Sequence, residues 1–328
     1  MKYVNFGNTG LKVSNACLGS MTFGKQPNFG IEEDESLRII DKALDAGINF
    51  IDCADMYGGG LSEQILGKAL KGRRGDVIVT TKFRLRTEEG PNGEGASRWR
   101  IMRQVERSLK ALQTDYIDLY MIHRPDADTP IEETLRAMDD LVRQGKVRYI
   151  GCSNFDAWRI IEALWVSDKR GLERFVCNQV RYNLIDRSIE QEILPASLRY
   201  GMTTMCAAPL AEGWLSGAWD TEEDAKKDAR AKLWDFSNPV NLKKMETARA
   251  LGVIAREKGI STAQLSIAWL MHRGDQVIPI MGASNASQLE SNLDAMQVTF
   301  TEDELKRIDE ISPSPFIDTT VSNVNKVR

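Results

Sequence analysis

A short apolar run that closes in polar or small residues, followed by an amphipathic helix, recurs eight times along this chain. The runs are Asn15–Leu18, Asn49–Asp52, Val77–Thr81, Tyr116–Ile122, Val147–Ile150, Phe175–Asn178, Met202–Ala207 and Val277–Ile280. The spacing predicts a first helix at Asp34–Ala46, where Leu37, Ile40 and Leu44 share a face. Further helices are predicted at Ser62–Leu70, Ser97–Leu112, from Thr129, and at Asp156–Val166, Ile189–Arg199 and Ala286–Ala295. Thr129-Pro130-Ile131-Glu132 reads as a capping box with proline at the first helical position. Alternation of this kind builds a parallel sheet with helices outside it. An open, doubly wound sheet would carry a glycine fingerprint after its first strand, and LGSMTFGKQ contains no GxGxxG. The expected fold is therefore a closed (β/α)8 TIM barrel, whose usual size is about 250 residues. The excess goes to an N-terminal β-hairpin (Lys2–Phe6 and Leu11–Val13 around Gly7-Asn8-Thr9-Gly10) and to extra helices. Two helices, Leu242–Lys258 and Thr262–His272, precede the eighth strand, one of them an addition to the repeat, and another starts at Thr301; Ser261–Gln264 and Thr301–Glu304 read as capping boxes. Without a large composition break, residues 1–328 are read as one barrel domain.

Composition excludes several function classes. The net charge is −4 and the basic residues are dispersed, so nucleic acid is not an expected partner. No apolar run nears the ~20 residues of a membrane helix, and the start MKYVNFGNTG lacks the apolar core of a signal peptide. Cys17, Cys53, Cys152, Cys177 and Cys206 form no CxxC pair, which argues against zinc and for reduced thiols in the cytoplasm. No feature of the sequence specifies an oligomeric state.

In a barrel the C-terminal ends of all eight strands meet at one face. That brings Asp52 and Tyr57 from the second unit, Lys82 from the third and His123 from the fourth to a common mouth. A tyrosine is protonated at neutral pH and can donate a proton. A nearby lysine favours the phenolate and makes the phenol a better acid. A carboxylate holds the lysine, and a histidine can orient a carbonyl oxygen. Each member also has a structural explanation. Asp55 and Gly58 to Gly60 suit a turn, Lys82 could face solvent, and His123 could be a rim residue. His272, at a helix C-terminus, suits a structural role.

The series GINFIDCADMYG, TTKF, MIHRPD, GCSNF, NQVRYN, APLAEGWLSG and GASNASQLESN, in this order at strand ends, resembles the aldo-keto reductases over nearly the whole chain. The resemblance implies an NADPH-dependent oxidoreductase that reduces an aldehyde or ketone, a small-molecule carbonyl substrate. Tyr57 would be the proton donor, Lys82 its pKa partner, Asp52 the lysine's counterion and His123 the carbonyl-orienting group. Ser153, Asn154 and Gln179 would hold the nicotinamide carboxamide, with Gly19 and Met21 lining its pocket. Pro209, Leu210, Gly213, Leu215 and Gly217 would wrap the pyrophosphate. Gly282, Ser284, Gln288 and Asn292 would hold the adenosine end, where a helix N-terminus favours the 2′-phosphate of NADPH (NADP+). Three positions depart from the family pattern. Ala207 stands where an aromatic usually stacks on the nicotinamide, Ala218 where a lysine often follows the glycine, and Ser291 where an acid is common. NADH is therefore a possible second donor, unless Lys226, Lys227 or Arg230 of the charged segment Asp220–Asn238 compensates. The last motif also resembles the potassium-channel β subunits, which bind NADPH on the same barrel and usually carry asparagine where this chain has His123. Trp214 and Trp219 suit either a substrate wall or packing.

Overall fold

The computed structural model describes residues 1–26, 30–219, 223, 234, 235 and 237–315. Two short strands, β1 (Tyr3–Asn5) and β2 (Lys12–Ser14), form an antiparallel hairpin. Eight parallel strands then close into a barrel: β3 (Cys17–Gly19), β4 (Phe50–Asp52), β5 (Ile78–Phe83), β6 (Ile117–Ile122), β7 (Val147–Ser153), β8 (Phe175–Arg181), β9 (Thr203–Ala207) and β10 (Val277–Met281). β10 pairs with both β9 and β3, which closes the ring. The TIM barrel and hairpin expected from the sequence are thus present.

Helices α1 (Glu33–Asp45), α2 (Leu61–Ala69), α3 (Arg98–Ala111), α4 (Ile131–Arg143), α5 (Ala157–Arg170) and α6 (Ile193–Arg199) follow the first six barrel strands. α7 (Pro239–Glu257) and α8 (Thr262–His272) precede β10, and α9 (Ala286–Leu293) and α10 (Glu302–Ile311) follow it. α1 shows why such segments become helices. Ile39, Ile40 and Ala43 are buried on one face, while Glu33, Asp34 and Glu35 sit at the positive end of the helix dipole. The boxes at Ser261–Gln264 and Thr301–Glu304 form as read.

The box expected at Thr129 does not form. Pro130 occupies the N-cap of α4, and the Thr129 hydroxyl donates instead to Asp126 Oδ2 at 2.8 Å. α2 opens at Leu61, after Gly60, and the buried Ser62 hydroxyl donates to the Ser20 carbonyl at 2.9 Å. The helix expected over Ile189–Arg199 is split, with a 3-10 turn at Ser188–Glu190 before α6. Most of the charged segment, including Lys226, Lys227 and Arg230, lies outside the described residues.

Strand alternation decides which side chains point into the barrel. On β6, Leu119 and Met121 join the interior cluster while Tyr120 and Ile122 pack toward the helices. On β4 Phe50 is interior and Ile51 faces out, so Asp52 points in. Val79 and Phe83 of β5 face the helices, which places Lys82 inside. The hairpin seals the opposite end. Phe6 is fully buried against Phe50, with ring centroids 5.3 Å apart, and Val4 and Val13 join the same cluster. Burial of a phenyl group of this size contributes about 1.5–3 kcal/mol. Gly7 has φ +56°, and a Cβ there would lie 2.8 Å from the carbonyls of Gly201 and Val176. Only glycine lets the hairpin approach the barrel floor this closely.

Candidate active site

At the C-terminal mouth, Lys82 is completely buried and its ammonium donates three hydrogen bonds. The acceptors are an Asp52 carboxylate oxygen at 2.8 Å, the Cys53 carbonyl at 2.8 Å and the Tyr57 hydroxyl oxygen at 3.2 Å. These three bonds use every proton of the ammonium. The Tyr57 oxygen accepts from the lysine, so its own proton is free to be donated elsewhere. Tyr57 and His123 meet edge to face, with ring centroids 5.9 Å apart. The four side chains expected to converge, Asp52, Tyr57, Lys82 and His123, therefore do converge.

The charges follow from burial and contact. Burial pushes Lys82 down, but Asp52 and Tyr57 together outweigh it and hold the ammonium above the ordinary lysine range. Burial raises Tyr57 to about 12; Lys82 lowers it, as expected, without cancelling the cost of burial. Burial and the Lys82 charge lower His123 to about 3, so the imidazole is neutral at physiological pH. Its Nδ1 is buried and has no hydrogen-bond partner. A neutral imidazole packed beside a protonated phenol suits a ring that orients a polar oxygen toward that phenol.

Tyr57 is delivered by a 3-10 turn at Tyr57–Gly60 in which Gly58 and Gly59 take φ of 60° and 66°. A Cβ at Gly58 would lie 2.6 Å from the Phe23 carbonyl, so the turn that carries the phenol depends on that glycine. Asp55, read as a turn residue, does lie in the turn that leads to Tyr57, and its carboxylate is buried there. Burial and the nearby Glu63 raise its pKa.

The residues expected to hold a dinucleotide are arranged around this centre. Gln179 donates from Nε2 to Asp52 Oδ1 at 2.8 Å, so it braces the lysine's counterion. Ser153 donates to the Gln179 carbonyl at 2.9 Å. Asn154, exposed and at φ 58°, donates to the His123 carbonyl at 3.0 Å and to Ser153 Oγ at 2.9 Å. Together they form a polar belt beside the catalytic candidates. Gly19 ends β3, where a Cβ would come within 2.8 Å of Ile280 Cγ2, and Met21 is 54% exposed at the rim. In the β9 loop, Pro209 and Leu215 are buried, Leu210 is half-buried, and Ala208, Ala211, Glu212, Gly213 and Gly217 all have positive φ. Backbone held in this region by non-glycine residues is characteristic of a ligand loop. Ala207 ends β9, half-buried. Trp214 and Trp219 pack on each other, ring centroids 5.2 Å apart, in a core cluster rather than on a substrate wall.

The nicotinamide end of a dinucleotide suits this set, since Asn154 stands exposed at the edge of the polar belt beside Tyr57 and His123. The adenosine end is different. At the start of α9, Ser284 N donates to Gln288 Oε1 at 2.9 Å and Gln288 N to Asn285 Oδ1 at 2.8 Å. Ala286 N donates at 2.8 Å to a carboxylate from α1, Glu35 Oε1. Asn292 is buried and donates to the Gly282 carbonyl at 3.3 Å, and the space at the Gly282 Cα is open. Sequence reasoning missed Glu35, whose first-turn position is explained by the dipole of its own helix. Among the described residues no group of three His, Cys, Asp or Glu side chains is disposed to hold a metal ion, and no helix is long and apolar enough to cross a membrane.

Comparison with known proteins identifies the family of the chain. The model of the Aldo/keto reductase family matches residues 15–313. The chain is 36% identical to an uncharacterized oxidoreductase of Bacillus subtilis, over 96% of this chain and 97% of the relative. It is 36% identical to a probable voltage-gated potassium channel subunit beta of Oryza sativa, covering 91% of this chain and 92% of the relative. It is 34% identical to a versiconal hemiacetal acetate reductase of Aspergillus parasiticus, covering 94% and 96%. With the barrel, the converging side chains and a family match spanning nearly its whole length, the chain belongs to the aldo/keto reductase family.

Proposed function

We propose that this protein reduces an aldehyde or ketone to an alcohol, with hydride from a reduced nicotinamide dinucleotide and the proton from Tyr57. The observation that carries the reading is the three-way hydrogen bonding of Lys82, which makes the phenolic oxygen an acceptor and leaves its proton to donate. The dinucleotide, NADPH or NADH, would be held by Ser153, Asn154 and the loop Pro209–Gly217, and when bound it supplies the hydride. Tyr57 gives its proton to the carbonyl oxygen as negative charge builds there. The Lys82 ammonium, kept charged by Asp52, stabilises the phenolate left behind. Neutral His123 orients the carbonyl oxygen toward the phenol. Gln179 keeps Asp52 in place and so acts through the lysine. Five free, buried thiols suit a reducing compartment, and we place the reaction in the cytoplasm.

The test pairs turnover with binding. Tyr57→Phe is expected to bind the dinucleotide as the wild type does and to lose nearly all reduction of 4-nitrobenzaldehyde, followed as loss of NADPH or NADH absorbance. A variant with near wild-type rates would remove Tyr57 from the chemistry. The similarity to a channel subunit beta supports a second reading, a dinucleotide-binding regulatory subunit with little turnover. His123 and the complete quartet favour turnover. Tight dinucleotide binding with no reduction across a broad carbonyl panel would reverse that preference.

A further inference from the structure

Barrels of this kind commonly bind phosphate at the loops after their seventh and eighth strands and at the N-terminus of a short helix there. Here that helix is α9, which follows β10. The amides of its first turn are the groups a phosphate would use, and several are already engaged. Gln288 N is capped by Asn285, Ser284 N by the Gln288 side chain, and Ala286 N by Glu35. The first two acceptors are neutral. The third is a carboxylate brought 251 residues along the chain by the packing of α1 on α9.

Glu35 is anchored rather than incidental. One oxygen accepts from Ala286 N at 2.8 Å and the other from Arg38 Nη1 at 2.9 Å, with the side chain 25% exposed. The Ala286 amide and Arg38 hold its carboxyl below the usual glutamate range, so it is ionised at neutral pH. The next cation on α1, Lys42, is itself paired with Glu290 of α9. A dianionic phosphate at the start of α9 must therefore displace a carboxylate or sit against it, and like charges so placed oppose binding. A ribose hydroxyl, by contrast, can donate to a carboxylate, the pairing by which acidic residues select NAD over NADP elsewhere.

We propose that Glu35 is a specificity-determining residue that disfavours the 2′-phosphate, so that the protein accepts NADH as readily as NADPH. The inference rests on the dinucleotide reading above and departs from the NADPH preference implied by the family resemblance. It is tested by binding, through calorimetric titration of NADP+ and NAD+ into the wild type, Glu35→Gln and Glu35→Lys. Glutamine keeps an acceptor for Ala286 N, so its melting temperature serves as the folding control. The wild type is expected to bind the two nucleotides within about threefold of each other. Glu35→Gln should tighten NADP+ by about tenfold relative to NAD+, and Glu35→Lys by more, as expected for removing and then reversing one charge beside a phosphate. A wild type that prefers NADP+ by about a hundredfold or more, or variants that bind both nucleotides in an unchanged ratio, would overturn the role of Glu35 while leaving the dinucleotide reading intact. Absence of binding by either nucleotide to the wild type would overturn both.

Discussion

Lys82→Met tests whether the centre is held together by charge. Methionine fills a similar volume but removes the ammonium and all three of its hydrogen bonds, at 2.8, 2.8 and 3.2 Å. It leaves Asp52, 3% exposed, with Gln179 as its remaining side-chain partner. Removing one member of a buried ion pair costs about 3–5 kcal/mol, mostly because the other charge is stranded. For 328 residues, an unfolding entropy of about 2.1 cal/mol/K per residue converts that loss to a drop of about 4–7 °C in melting temperature. Asp52→Asn in the same chain removes the stranded charge. The double variant should therefore regain at least about 1.5 kcal/mol, or about 2 °C, over Lys82→Met alone. The assay is thermal melting by circular dichroism of the wild type, both single variants and the double variant at one pH and scan rate. Strict additivity of the two losses would refute the pairing argument, because independent residues add and a stranded partner does not.

Two further predictions concern pH. With His123 lowered to about 3 and Tyr57 raised to about 12, neither group titrates in the working range. The value of kcat/KM for carbonyl reduction should then show no inflection from either residue between roughly pH 5 and 9, and an acid limb near 6.5 that disappears in His123→Asn would contradict the neutral, buried imidazole. Asp55 has a folded pKa above its unfolded value, so the folded state holds that proton more tightly. Its contribution is present in acid and is lost as pH rises from about 4 upward through the folded value, so the melting temperature of Asp55→Asn relative to wild type should be more favourable at about pH 8 than at about pH 4.5. A difference that does not change with pH would show that Asp55 does not titrate on folding.

Much of the centre was legible because strand ends announce themselves. Asp52, Lys82 and His123 each close or immediately follow an apolar run, and once the runs are counted as a ring their meeting is a consequence of topology. Tyr57 was legible through the glycines that follow it. What stayed hidden depended on pairings across distant segments. Nothing local to Glu35 says that it caps Ala286, because the contact exists only when α1 lies beside α9. Thr129 carries a capping pattern that a competing acceptor, Asp126, overrides. The resemblance gives Gln179 to the nicotinamide, whereas its bond to Asp52 follows from two inward-pointing side chains crossing the barrel. The sign of the Tyr57 shift was hidden for another reason. A nearby lysine is readable from sequence, but the degree of burial that outweighs it is not.

The hairpin that closes the barrel floor also settles how the molecule can be handled. Phe6 and Gly7 lock the first strands against the end opposite the mouth, and Met1 emerges there, 40% exposed. A tether joined at Met1 therefore leaves from the far side. Molecules anchored to a bead or an electrode through that point would stand with their openings turned to the solution, all with the same side up.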